Sequence, residues 1–175
     1  MIDFSRNHFE LFGLPTRYRI DMEALELAYR DLQTRVHPDR HAGGSDAQKR
    51  AALQASARVN EAYRALRDPV TRAEYVLQLQ GVDATGASVK LPVAFLTEQL
   101  ERHEDAEAAA DAHDDATLAR LVDDVRADAH VVQQAVERAL SDRNVDAAGA
   151  HVRELRFLTK LAEDLEALHA DEIDT

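Results

Sequence analysis

Apolar residues recur along this chain at steps of three and four, and no stretch alternates with the period of two that a half-buried strand requires. The pattern resolves into helices set apart by capping and stop residues. Asn7 to Phe12 fits a short first helix, closed by Gly13 and then Pro15. Asp21 suits the N-cap of a second, with Ile20 and Leu25 spaced as a hydrophobic staple across it. Leu25, Ala28, Tyr29, Leu32 and Val36 then form one apolar stripe. Pro38 ends this helix, because the residue before a proline is pushed out of the α region. A polar loop, Arg40 to Ser45, carries Gly43 and Gly44 and leads to a third helix from about Asp46. Its inner face is Ala52, Val59, Ala62, Tyr63 and Leu66. Asp68-Pro69 supplies a cap and a first helical residue for a fourth helix, in which Ala73, Val76 and Leu77 turn inward before Gly81.

Three longer helices follow. The first runs from about Pro92 to Ala110 and carries two competing stripes, Leu96, Leu100 and Glu104 on one and Phe95 and Gln99 on the other. Periodicity does not choose between them. The second starts near Asp114 or Asp115, and its Leu118, Val122, Val125, Ala129, Val132, Val136 and Ala139 alternate steps of four and three, a coiled-coil-like seam. The third starts near Asp146 and buries Val152, Leu155, Leu158, Ala162, Leu165 and Leu168. Phe157 stands about 100° from Leu158 and so off the centre of that stripe. It is either an aromatic offered to a partner or the edge of a wide core face. Short polar joints at Ala112–Asp115 and Ser141–Asp146 favour antiparallel neighbours.

Charge divides the chain at the same place as the helices. Residues 1–80 hold 12 Lys/Arg against 11 Asp/Glu, while residues 81–175 hold 9 against 22. Gly81, Gly86 and Pro92 cluster at the break, so a first domain is expected over 1–80, a linker over 81–91 and a second domain over 92–175. The second is too acidic to read as a nucleic-acid binder. The chain has no cysteine, which removes disulfides, thiolate metal sites and thiol catalysis. No apolar run approaches a membrane span, and Asp3 and Arg6 near the start argue against a secretory signal. A cytoplasmic chain with no membrane or nucleic-acid partner is expected.

The eight histidines do not assemble a metal site by spacing. Pro38 breaks the register between His37 and His41, and Glu166 with His169 is a single pair on the last helix. A di-metal bundle needs such a pair on each of two helices. With no nucleophile–base pattern or phosphate loop either, no cofactor and no enzyme activity are expected.

The tripeptide His37-Pro38-Asp39 joins two amphipathic helices, and Asp68-Pro69 with Arg72 and Tyr75 follows the second of them. This arrangement, over about residues 8–77, resembles the J domain. The segments Leu11-Phe12-Gly13-Leu14-Pro15, Ala73-Glu74-Tyr75, Ala94-Phe95-Leu96, Glu98-Gln99-Leu100-Glu101 and Leu155-Arg156-Phe157-Leu158 narrow the resemblance to the HscB family and extend it over nearly the whole chain. The family usually has lysine after the triplet where this chain has Arg40, and an apolar residue where it has Thr97.

The resemblance implies an all-α, elbow-shaped chain: a J domain, with a helical hairpin and short flanking helices, joined to an antiparallel three-helix bundle. It implies a co-chaperone that stimulates a heat-shock protein 70 class ATPase (HscA type) and delivers an iron–sulfur scaffold protein (IscU type) to it. The chaperone contact would fall on His37, Pro38, Asp39, Arg30, Arg35 and Arg40, with Asp39 accepting charge-assisted bonds and the arginines steering toward an acidic patch. Arg35 has an alternative, a pair with Asp31 four residues earlier. The scaffold contact would fall on Leu96, Thr97, Leu100, Glu101, Glu104 and Phe157. The competing function is a J protein for general unfolded clients, which needs a broad apolar surface that the acidic tail does not supply.

Overall fold

Side-chain caps set most of the helix starts. The computed structural model describes residues 5–37, 43, 45–82 and 91–173, and among these all regular structure is helical. Helix α1 (His8–Leu11) begins at Asn7, whose side chain and that of Glu10 cap each other's backbone N–H. Asp21 accepts from the N–H groups of Glu23 and Ala24 to open α2 (Met22–Val36). Ser45 and Gln48 form a capping box on α3 (Asp46–Arg67), and Asp68 caps α4 (Pro69–Leu79) through Thr71 N–H at 2.8 Å. In the second half α5 (Val93–Asp111) follows Pro92, α6 (Asp115–Ser141) is capped by Asp114, and α7 (Val145–Ile173) by Asn144. Each such cap contributes about 0.5–2 kcal/mol in other helices.

The stops are equally local. Val36 is the last residue of α2, and His37, with φ −57° and ψ 128°, has the extended conformation that a following proline imposes. Four helices close with one motif, in which the second residue past the C-cap bonds back to the carbonyl of the third residue from the helix end. Leu14 N–H reaches Phe9 O at 2.9 Å, Val82 reaches Leu77 at 3.0 Å, Asp114 reaches Ala109 at 2.8 Å and Asn144 reaches Ala139 at 2.9 Å. The residue at the turn takes positive φ. It is Gly13 and Gly81 in the first two cases, but His113 and Arg143 in the tail.

The chain divides into two compact units, Met1–Val76 and Leu77–Thr175. In the first, α2 and α3 form a hairpin against which α1 packs. Phe9, Leu25, Val59, Ala62, Leu66 and Ala73 are wholly or almost wholly buried. Tyr29 and Tyr63 stack at 3.9 Å across the hairpin, and Tyr29 Oη donates to Asn60 Oδ1 at 3.0 Å while Gln33 Nε2 donates to both. Arg72 donates to Leu66 O at 2.7 Å and lies over the Tyr18 ring, tying α4 to the loop after α1.

In the second unit α6 and α7 pack along their length and α5 lies against both. Joints of only three residues make successive helices antiparallel. Leu118, Leu121, Val122 and Val125 meet Leu158, Leu161, Ala162 and Leu165 in one core, which Ala106, Ala109 and Ala110 of α5 complete. Burying each Leu or Val of such a core contributes about 1.5–3 kcal/mol. The alanines let α5 approach closely. Arg102 of α5 meets Asp128 of α6 at 2.6 Å, and Arg126 of α6 meets Glu166 of α7 at 2.7 Å.

Candidate functional site

Two surfaces carry the residues singled out in the sequence. The first is the α2–α3 hairpin. Pro38, Asp39 and Arg40 lie outside the described residues, as does most of the loop that follows, but the two helices that flank them in sequence are described. His37 is exposed just past the end of α2. Arg30 and Arg35 are also exposed, and each faces a carboxylate one turn back: Arg30 Nη2 is 3.0 Å from Glu26, and Arg35 Nη2 is 2.8 Å from Asp31. The pairing of Arg35 with Asp31 is the alternative that their spacing offered. Exposed pairs of this kind are weak and are screened by salt, so they compete poorly with a partner's carboxylates. Glu26 also accepts from Tyr63 Oη at 2.7 Å. That hydrogen bond, followed by the charge of Arg30, holds the Glu26 carboxyl below its ordinary pKa and pushes the Tyr63 hydroxyl up. The hairpin therefore has a stacked, hydrogen-bonded waist beneath its exposed arginines.

The second surface lies between α5 and α7. Leu96 is 39% exposed and Leu100 56% exposed, large values for leucine on a packed helix. They line a groove of about 460 Å³ with Gln99, His103, Phe157, Lys160, Leu161 and Asp164. The inward stripe of α5 is the one through Phe95 and Gln99, and the stripe through Leu96, Leu100 and Glu104 faces outward. Phe157 does two things at once: it packs against the bundle core and, half-buried, it walls the groove. Phe95 meets it edge-on at 5.7 Å between ring centres and fixes its tilt. Phe157 is thus the edge of a wide core face and is at the same time partly accessible from the groove.

Of the six residues expected on this surface, Leu96, Leu100 and Phe157 come together in the groove, while Thr97, Glu101 and Glu104 are exposed on α5 and do not line it. Sequence reasoning missed Val93, which is 79% exposed on the same side of α5 as Leu96 and Leu100. The steps of three and four from Val93 to Leu96 to Leu100 could have revealed it. It also missed His103, Lys160 and Asp164 at the rim. Lys160 Nζ sits 2.7 Å from Asp164, whose hydrogen bond and charge raise its pKa, and His103 Nε2 is 3.5 Å from Glu107. No group of three or more potential metal ligands occurs among the described residues, and none of their helices is long and apolar enough to cross a membrane. Glu166, half of the Glu-x-x-His pair singled out in the sequence, is bound instead to Arg126.

Comparison with known proteins supplies the class. Residues 7–75 match the family model of the DnaJ domain, and residues 91–166 match that of the HSCB C-terminal oligomerisation domain. A helical pair with His-Pro-Asp between its helices in the sequence, followed by a helical tail of this kind, defines a J-domain co-chaperone. A co-chaperone protein HscB homolog from Aromatoleum aromaticum is 44% identical over 167 residues, 94% of each chain. The chaperone HscB from Vibrio cholerae matches with a TM-score of 0.87 at 34% identity, over 95% of this chain and 99% of that one. The human co-chaperone protein HscB matches at 0.83 and 26%, over 94% and 83%. The chain belongs to the HscB family.

Proposed function

We propose that this chain is a non-enzymatic cytoplasmic adaptor with two working surfaces on two domains, 1–80 and 92–175, joined by 81–91. His37, Pro38 and Asp39, flanked by Arg30, Arg35 and Arg40, engage a heat-shock protein 70 class ATPase of HscA type and stimulate its hydrolysis of ATP. The groove of α5 and α7 holds an iron–sulfur scaffold protein of IscU type through Leu96, Leu100 and Phe157, with Thr97, Glu101 and Glu104 beside it. The observation that carries this reading is that two leucines and a phenylalanine, distant in sequence, line one exposed groove on an otherwise acidic tail. An apolar centre with a charged rim is the usual anatomy of a specific docking site.

Joining both contacts in one chain raises the effective concentration of scaffold at the ATPase. The test is the steady-state ATPase rate of a purified HscA-type chaperone, measured alone, with this chain, with scaffold, and with both. Stimulation by the chain and a further rise with scaffold are expected. If the chain leaves the rate at its basal level, the adaptor reading fails. Pulldown from lysate separates this reading from service to general clients: one dominant scaffold partner is expected, and a broad mixture of unfolded proteins would favour the rival.

A further inference from the structure

The α5–α7 groove has one buried polar group in its lining. Gln99 is only 2% exposed, yet it lines the groove among Leu96, Leu100, Phe157 and Leu161. Its Oε1 accepts from Arg102 Nη1 at 3.3 Å. Arg102 is itself clamped, by Asp128 of α6 at 2.6 Å and by Glu98 at 2.8 Å. A guanidinium carries donors only, so the amide oxygen must be the atom that faces it. The clamp thus fixes which way round the amide sits and commits its acceptor. The NH2 group is left, and among the described residues no hydrogen bond uses it. In the open groove this NH2 still reaches water, and a docked segment that shuts the water out must supply an oxygen in its place or leave a buried donor without a partner.

The charge around the groove narrows the choice of oxygen. Arg102 already faces Asp128 and Glu98, Lys160 faces Asp164 and Glu163, and His103 faces Glu107. A carboxylate entering the apolar floor would shed its water where each nearby cation is already matched, which is unfavourable. A carbonyl or hydroxyl sheds far less and gains the same bond.

We infer that Gln99 is a specificity residue of this groove, whose amide NH2 donates to an uncharged oxygen, a backbone carbonyl or a hydroxyl, on the apolar protein segment that docks between α5 and α7. This rests on the scaffold-docking reading above and adds the chemistry that the docked segment must carry. Apolar side chains fill the groove and one oxygen acceptor sets their register. A segment of equal hydrophobicity that cannot present an acceptor at that point leaves the amide unpaired and is rejected.

The experiment is calorimetric titration of purified IscU-type scaffold into the full chain, as wild type and as Gln99→Glu, Gln99→Met and Leu100→Ala. Glutamate keeps an acceptor for Arg102 but has no donor at neutral pH. Methionine has similar length and offers neither. Both Gln99 variants are expected to weaken binding roughly tenfold, with thermal melts showing the bundle intact. Wild-type affinity in both, with Leu100→Ala weakened, overturns the donor role and leaves the groove reading standing. Loss in methionine alone means that the Arg102 clamp matters rather than the donor. Loss in glutamate alone means repulsion by the added charge. Either result overturns the inference. Wild-type affinity in Leu100→Ala overturns the groove reading and this inference with it. A second readout needs no variant: in the 15N-labelled wild type, the Gln99 side-chain NH2 signals should shift and gain protection from exchange when scaffold is added, and unchanged signals would sink the donor role.

Discussion

His8 ties one buried ring to the pH dependence of the first unit. It stacks on Tyr75 at 4.1 Å, and its backbone N–H donates to Tyr75 Oη at 3.0 Å. Its Nδ1 is buried with no hydrogen-bond partner among the described residues. Burial, and then the charge of Arg58, lower its pKa below the ordinary 6.5, against an opposing pull from Glu61. A base with a depressed folded pKa takes up its proton more readily when unfolded. Its contribution is absent above about pH 6.5, and stability falls as the pH drops through that value. Melting temperature is therefore expected to fall between pH 7.5 and 5.5, and His8→Phe, which keeps a ring against Tyr75, is expected to flatten that fall. An equal fall in both proteins would show that His8 has no part in it. Leu158 and Leu100 make a second contrast between single positions. Leu158 is buried in the tail core, so Leu158→Ala should cost about 2–5 kcal/mol in denaturant melts. Leu100→Ala removes an exposed side chain and should stay within about 0.5 kcal/mol.

Helix α5 marks where the sequence stopped being sufficient. The other helices announce themselves through caps and a single apolar stripe, and Asn7, Asp21, Ser45, Asp68 and Asp114 all cap as their residue types suggest. In α5 two short apolar stripes of equal quality start side by side at Phe95 and Leu96. The structure chooses between them, and the far end of the helix shows why. The first continues through Gln99 to Ala106, Ala109 and Ala110, which are small enough to pack closely on α6 and α7. The second continues to Glu104 and Asp111, which require water. A polar glutamine is buried and two leucines are exposed because the alanines set the rotation of the helix. The end of α2 at Val36 was legible from Pro38, whereas the groove needed the packing of α7 on α5, which no local pattern contains. The tail joints were legible in place but not in conformation. Gly13 and Gly81 advertise a left-handed turn, while His113 and Arg143, with φ of 54° and 55°, do not. A side chain in that conformation costs about 1–2 kcal/mol, partly offset by the greater freedom that glycine loses on folding. Arg143→Gly is accordingly expected to stabilise the bundle by about 0.5–1 kcal/mol, read as a raised melting temperature. An unchanged or lowered value would mean that the arginine side chain compensates for its backbone.

Across the chain, the acidic charge and the groove belong to the tail, while the hairpin and its arginines belong to the first unit. The two proposed activities should then fail separately. Asp39→Asn keeps size and removes charge, so stimulation of the chaperone ATPase should fall to its basal level while scaffold affinity is unchanged. Leu96→Ala with Leu100→Ala should weaken scaffold binding at least roughly tenfold while the chain alone still stimulates. Both side chains are exposed, so the melt should not move, whereas adding Phe157→Ala would also cost core packing. A single variant that abolishes both activities with its fold intact would mean that the division proposed here is wrong. The three-residue joints of the tail carry a further consequence. They make α6 the sequence neighbour of both helices it touches, so most of the bundle forms by closing very short loops. Chains rich in such local contacts fold in about microseconds to milliseconds. The ribosome adds roughly 5–20 residues per second, so once α7 is free the bundle can close in less time than the ribosome takes over a single residue. A chain with the proposed role of bringing another protein to a chaperone would in this way mature without waiting for one.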